Sequence, residues 1–265
     1  MSTPLQELFV KAKSENRALL IGYMPAGFPT QDGAIEVLKA MIEGGVDAIE
    51  IGYPYSDPVM DGPVIQAAAD QSLRNGTGAA QVFQTVEAIA PLAPTVVMTY
   101  WNPIERYGVD QFLAKLKDVG GSGVITPDLT IEESEGWITS SESHNTNRIY
   151  VVAPSTNDDR LRKVSSAASG FLYAASLMGV TGTRTAVSSS AKDLVTRIRQ
   201  VSDLPVAVGL GVSNAEQVRE VAQYADGVIV GSAFIRLIQE SSSIAEGVTK
   251  VRDLARELAG GLQRS

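Results

Sequence analysis

The sequence predicts a (β/α)8 barrel, an α/β fold in which a parallel sheet closes on itself. Three observations lead there. Eight short apolar, β-branched runs alternate with amphipathic segments from end to end, and strand–helix alternation implies a parallel sheet. Several of the runs are almost continuously hydrophobic, as strands covered on both faces are. No linker and no second composition regime divides the 265 residues, and about 250 residues is the usual size of one such barrel. A closed barrel is therefore favoured over a doubly wound open sheet, and one domain spanning 1–265 over two.

Taken in order, the strands are expected at 18–23, 47–51, 95–100, 123–125, 148–152, 170–175, 205–208 and 227–230. Helical periodicity falls between them, for example at 32–43, 109–119, 189–201 and 214–223. Ahead of the first strand, Leu5, Leu8, Phe9 and Ala12 recur at helical spacing, which predicts an extra helix plugging the barrel bottom. A further helix around 245–258 ends the pattern. Two stretches stand out. The interval between the second and third strands is long and opens on Gly-Tyr-Pro-Tyr-Ser-Asp-Pro-Val-Met-Asp-Gly-Pro; loops of that length are usually functional or disordered, and its prolines stiffen it. The stretch 179–190, rich in Gly, Thr and Ser, follows the sixth strand and reads as a mobile lid.

Composition removes whole classes of function. A net charge of −8 disfavours a nucleic-acid phosphate backbone, which calls for a basic stripe. A small anionic substrate would instead rely on local backbone donors. The chain has no cysteine, so disulfides, zinc–thiolate sites and thiol nucleophiles are excluded. No apolar run approaches the ~20 residues of a membrane span, and the first residues show no basic region followed by an apolar stretch. A cytoplasmic protein without membrane or nucleic-acid partners is expected.

Glu50 is the most anomalous residue. It interrupts the apolar run Ala48-Ile49-Glu50-Ile51, where strand alternation puts Ala48 and Glu50 on one face and Ile49 and Ile51 on the other. Glu50 thus points into the barrel near the C-terminal strand ends, where such barrels hold their active sites. Burial raises a carboxyl pKa, which suits a general acid/base near neutral pH. The alternative is a structural Glu paired with an interior Arg or Lys. Asp61 and Asp57 both lie in the loop leaving the same strand, and either could be only a turn residue; position does not choose between them. Gly209-Leu210-Gly211-Val212-Ser213 and Gly231-Ser232 follow the seventh and eighth strands, the places where barrels bind phosphate on free N–H groups at a short helix. The single histidine, His144, sits in a polar run and is expected in solvent, which argues against a Ser–His–Asp triad or a histidine-rich metal centre. All eight lysines fall in helical or terminal segments, which argues against a Schiff base. If the barrel breaks a carbon–carbon bond, the substrate must take the electrons.

The segment from Ile49 to Pro63, IEIGYPYSDPVMDGP, resembles the signature of the tryptophan synthase alpha chain family. So do Met98-Thr99-Tyr100-Trp101-Asn102-Pro103, Pro127-Asp128-Leu129, Gly179-Val180-Thr181-Gly182 and the two glycine loops, in order along essentially the whole chain. The resemblance implies a TIM-barrel lyase that cleaves indole-3-glycerol phosphate to indole and glyceraldehyde 3-phosphate in tryptophan biosynthesis. It implies Glu50 as the catalytic glutamate and Asp61 as the aspartate holding the indole N–H. Tyr23, Tyr100 and Tyr173 would border the indole, and Thr181 would be the lid threonine. Gly182, Gly211, Gly231 and Ser232 would bind phosphate. No cofactor or metal is implied for this chain; a pyridoxal-phosphate β subunit is implied as its partner in an α2β2 complex, with Pro54, Tyr55 and Pro58 as contacts. Phe28 stands where many members carry Asp, Tyr23 where another aromatic is common, and Leu177-Met178 precede the lid glycine. Three other functions compete: a sugar-phosphate isomerase or epimerase barrel, a non-catalytic binding paralogue, and a stand-alone lyase releasing free indole.

Overall fold

A computed structural model describes residues 2–175, 184–209 and 211–264, without the side chains of 184–189. Eight parallel strands close into one barrel in chain order. They are β1 (Leu19–Pro25), β2 (Ala48–Gly52), β3 (Thr95–Met98), β4 (Gly123–Thr126), β5 (Asn147–Val152), β6 (Leu172–Ala175), β7 (Val206–Gly209) and β8 (Gly227–Val230). Twelve α-helices accompany them among the described residues. The first six are α1 (Pro4–Ser14), α2 (Gln31–Gly44), α3 (Pro63–Arg74), α4 (Ala79–Ile89), α5 (Trp101–Tyr107) and α6 (Val109–Asp118). The remainder are α7 (Glu135–His144), α8 (Asp158–Ala167), α9 (Arg184–Arg199), α10 (Ala215–Ala222), α11 (Ser232–Gln239) and α12 (Ile244–Ala259).

The eight expected strands are all present, displaced by a residue or two at their ends. One boundary carries a correction. The apolar run at 95–100 reads as strand to its end, yet β3 stops at Met98 and Tyr100 is the N-cap of α5. Pro103 two residues into that helix permits this, because its missing N–H is an unpaired group of the first turn anyway. The long interval after β2 is loop only to Gly62; α3 and α4 fill the rest. The stretch 179–190, read as a lid, is helical from Arg184 onward, and its residues 179–183 lie outside the described residues.

Strand alternation divides the core into two layers. Ile49 and Ile51 of β2 pack outward among the helices. Ala48 faces inward, in a cluster with Ile21, Val96, Ile149 and Phe171. Leu5, Phe9 and Ala12 of α1 join this inner cluster, and the rings of Phe9 and Phe171 stand 5.6 Å apart. The expected plug is therefore in place. Thr3 caps α1 and also accepts a 2.7 Å hydrogen bond from Asn147 at the start of β5, tying plug to barrel. At the same end, Asp47 accepts from the Leu20 N–H and Arg17, both at 2.9 Å. Asp226 accepts from the Val206 N–H, Arg199 and Arg264. These bottom-face carboxylates secure strand starts, which leaves the opposite mouth free for chemistry. The ring of helices closes where α2 meets α12: a Cβ on Gly44 would lie 2.5 Å from the Arg252 carbonyl oxygen, so only glycine lets the two backbones come this close.

Among the described residues no helix is long and apolar enough to cross a membrane. All eight lysines lie on helices, away from the strand ends. His144 ends α7, and the Asp110 carboxylate accepts a hydrogen bond from its Nε2 at 2.8 Å, with the histidine side chain only 19% exposed. It is thus held against α6 rather than fully solvated, and it stands outside the mouth.

Candidate active site

Alternation along β2 dictates where Glu50 goes. With Ile49 and Ile51 committed to the outer layer, its side chain must enter the barrel, and it is 1% exposed. In register it lies between Tyr23 of β1 and Val96 of β3. No salt bridge reaches it among the described residues, so a structural ion pair is not supported, and its Oε2 is buried without a hydrogen-bond partner. A buried polar atom left unpaired is expensive, and such an atom at a cavity wall is poised for a ligand. Burial pushes the Glu50 pKa from 4.5 to about 8, and the nearby Asp61 charge acts in the same sense.

The cavity has a volume of about 340 Å³ and opens at the C-terminal ends of the strands, with Glu50, Asp61, Tyr23 and Tyr173 among its walls. The structure separates the two aspartates that the sequence leaves equivalent. Asp57 is exposed and accepts from Ser56 at 2.5 Å. Asp61 turns inward, immediately before α3, and burial raises its pKa while a hydrogen bond from the Tyr100 hydroxyl lowers it. That bond is 3.2 Å long, and the same hydroxyl accepts the N–H groups of Val59 and Met60 at 3.2 and 3.3 Å. Tyr100, expected at the pocket border, is not itself among the cavity's wall residues but bonds to one of them, Asp61. Its hydroxyl thus joins the Val59–Met60 backbone to the Asp61 carboxylate. Burial lifts its own pKa to about 12.

Tyr23 and Tyr173 are raised well above the ordinary tyrosine range, by burial first and by Glu50 and Asp61 second. Both therefore stay neutral. Glycines let their rings lie flat against the wall: a Cβ on Gly52 would collide with the Tyr23 hydroxyl, and one on Gly209 would meet that of Tyr173 at 2.5 Å. On its other side the Tyr23 ring backs onto Gly231.

At the β7–β8 end the cavity is walled by Gly209, Gly211, Gly231 and Ser232. Gly211 has φ +68°, a conformation that glycine adopts without strain. Ser232 begins α11, whose N-terminus has no side-chain cap, so its first N–H groups are available to an anion. Thr181 and Gly182 lie outside the described residues. Several wall residues stand outside the sequence expectations. The start of α3, Pro63 to Ile65, lines the same cavity, as does Arg236 of α11. A signal for Arg236 exists in the sequence: it lies four residues after Ser232, one helical turn along the same face. The arrangement offers a neutral carboxylic acid beside a second carboxyl, a slot between aromatic walls, and N–H donors at the far end. Such a site can protonate and hold a flat, uncharged ring while binding an anionic tail.

Similarity to known proteins points the same way. A family model described as tryptophan synthase alpha chain matches residues 9–263. The tryptophan synthase alpha chain of Streptomyces avermitilis is 54% identical over 261 residues, covering 98% of this chain and 94% of its own. That of Thermobifida fusca is 53% identical over 265 residues, covering 98% of each. Among solved structures, tryptophan synthase of Mycobacterium tuberculosis in space group F222 superposes with a TM-score of 0.92 at 46% identity, over 100% of both chains. The alpha chain from Legionella pneumophila gives 0.89 at 28% identity, over 98% of this chain and 97% of its own.

Proposed function

This chain belongs to the tryptophan synthase alpha chain family, and on that premise we propose that Glu50 and Asp61 divide the acid/base work of its reaction. The chain is a carbon–carbon lyase of tryptophan biosynthesis, cleaving indole-3-glycerol phosphate to indole and glyceraldehyde 3-phosphate. Glu50 enters the cycle protonated. It donates its proton to indole C3, which leaves the ring as an indoleninium cation. The Glu50 carboxylate then takes the proton from the glycerol hydroxyl as the bond from C3 breaks. The bonding electrons return to the ring and neutralise the nitrogen, while the hydroxyl carbon becomes the aldehyde. Glu50 ends as it began.

Asp61 accepts the indole N–H and stabilises the positive charge that develops on the ring. In this cycle the two carboxyls act in opposite protonation states, the pattern that assigns acid and charge-stabilising roles. Tyr23 and Tyr173 wall the indole, and Tyr100 positions Asp61 from behind. Gly211, Gly231 and Ser232, with Gly182, bind the phosphate, and Thr181 serves the lid. A β subunit carrying pyridoxal phosphate is the partner, in a cytoplasmic α2β2 assembly that receives indole at the barrel mouth, with Pro54, Tyr55 and Pro58 at the contact. This chain itself uses no cofactor or metal.

The observation that carries the proposal is the unpartnered Oε2 of Glu50, on a carboxyl raised to about 8 at the cavity wall. The experiment is to offer indole-3-glycerol phosphate to the purified chain and follow indole release. Glu50→Gln should lower that release about 10²-fold or more, the scale of acid/base removal, while glycerol 3-phosphate still binds. Near-normal release by the variant would defeat the mechanism. Adding a β subunit should accelerate release, and no change would favour a stand-alone lyase.

A further inference from the structure

We propose that Arg236 is a substrate-binding residue that supplies the full positive charge for the phosphate end of the substrate. The inference rests on the reading of the β7–β8 end as the phosphate site and extends it to a side chain that the glycine loops do not include.

Charge balance is the starting point. The cavity holds Glu50 and Asp61, and the chain carries a net charge of −8, so the general field opposes a phosphate dianion. The N-terminus of α11 offers only about half a unit charge in dipole form. Among the described residues lining the cavity, Arg236 is the one lysine or arginine.

Helix geometry aims it. Side chains of an α-helix lean toward the helix N-terminus, and Arg236 lies one turn after Ser232. Its stem therefore covers the first turn of α11, where the free N–H groups of the phosphate end converge. The guanidinium is also uncommitted. Arg199 and Arg264 are each paired with Asp226, and Arg252 with Glu43, whereas no carboxylate pairs with Arg236 among the described residues. It is exposed, at the rim rather than the floor of the cavity, so it can meet an incoming anion without a buried charge in the empty protein. A planar fork of N–H donors matches two phosphate oxygens at once.

The test compares Arg236→Gln and Arg236→Lys with the unaltered chain. It measures kcat and KM for indole-3-glycerol phosphate, the inhibition constant of glycerol 3-phosphate, and the affinity for indole, which lacks a phosphate. In Arg236→Gln, KM and the glycerol 3-phosphate constant should both rise about tenfold, the lower end expected for a charged hydrogen bond at a wet rim. Indole affinity and kcat should stay within about twofold, the signature of lost uniform binding. Arg236→Lys should recover part of the loss, and the gap between Arg236→Gln and the unaltered chain should narrow as salt is raised. Circular dichroism and Tm confirm that each variant is folded, as expected for an exposed position. Unchanged constants in Arg236→Gln, beside an unaltered chain that binds glycerol 3-phosphate normally, overturn the role of Arg236 alone. An unaltered chain that does not bind glycerol 3-phosphate overturns the phosphate reading beneath it as well. An equal loss of indole affinity assigns Arg236 to cavity shape and also overturns the proposal.

Discussion

Replacing Glu50 by Gln keeps the shape of a buried side chain and removes its titration. The free carboxyl titrates near 4.5, whereas in the folded chain burial and the Asp61 charge hold it at about 8. Between those two values the folded state keeps a proton that the unfolded state has released. Unfolding free energy therefore falls as pH rises through that window. The contribution is intact below the unfolded value and fully lost above the folded one. A tenfold change in proton affinity corresponds to 1.36 kcal/mol, so the full window is worth about 5 kcal/mol, and the part between pH 5 and 8 about 3–4 kcal/mol. For a chain of this size, about 2–4 °C of Tm follows each kcal/mol. The assay is Tm by far-ultraviolet circular dichroism for both proteins across that pH range. Tm of Glu50→Gln minus that of the unaltered chain should rise by roughly 10 °C from pH 5 to pH 8. The buried amide of the variant has its own pH-independent penalty, so the slope is the readout and the absolute offset is not. A difference that stays flat within a degree or two would mean that Glu50 is already ionised when folded, and would refute a proton held there by burial.

Three further outcomes follow from the same geometry. Asp61→Asn should lower turnover by about 10²-fold, on the scale of one lost charge-stabilising group, with Tm little changed, whereas Asp57→Asn should match the unaltered chain in steady-state assays. Tyr100→Phe removes the hydroxyl that joins Val59, Met60 and Asp61; kcat/KM should fall about tenfold while the ordinary fold survives, and an unchanged value would show that the loop holds Asp61 unaided. Gly52→Ala would drive a methyl into the Tyr23 hydroxyl, with Gly231 behind the ring, so it should destabilise the chain by about 1–3 kcal/mol and raise KM, measured by urea unfolding and by indole release.

How much of this is legible in the sequence depends on the length scale of the cause. The strands and the bottom plug are written in local periodicity: Leu5, Phe9 and Ala12 announce a buried helix face before any fold is known. Glu50 is legible for the same reason, because a lone carboxyl in an apolar alternating run has a forced direction. Asp61 and Asp57 differ in burial, which arises from how the loop folds back under Tyr100, 39 residues further on, and no local pattern carries that. Tyr100 reads as strand because its run is apolar, while helix α5 claims it as a cap. His144 reads as solvated because its partner Asp110 lies 34 residues away. Arg236 is harder to pick out even though its spacing from Ser232 is in view; a charged residue on an amphipathic helix ordinarily faces solvent, and only the cavity shows that this solvent face is the rim of the site.

The central claim is that Glu50 works as a protonated acid in the barrel mouth, and the pH dependence of kcat/KM for indole-3-glycerol phosphate tests it most directly, because that quantity reports the free protein's titrating groups. Once Asp61 is ionised, the rate constant should hold to about pH 8 and then fall tenfold for each further pH unit as Glu50 ionises. A profile that climbs with a midpoint near 4.5 and stays level beyond about pH 9 would assign catalysis to an already ionised carboxylate and contradict the claim.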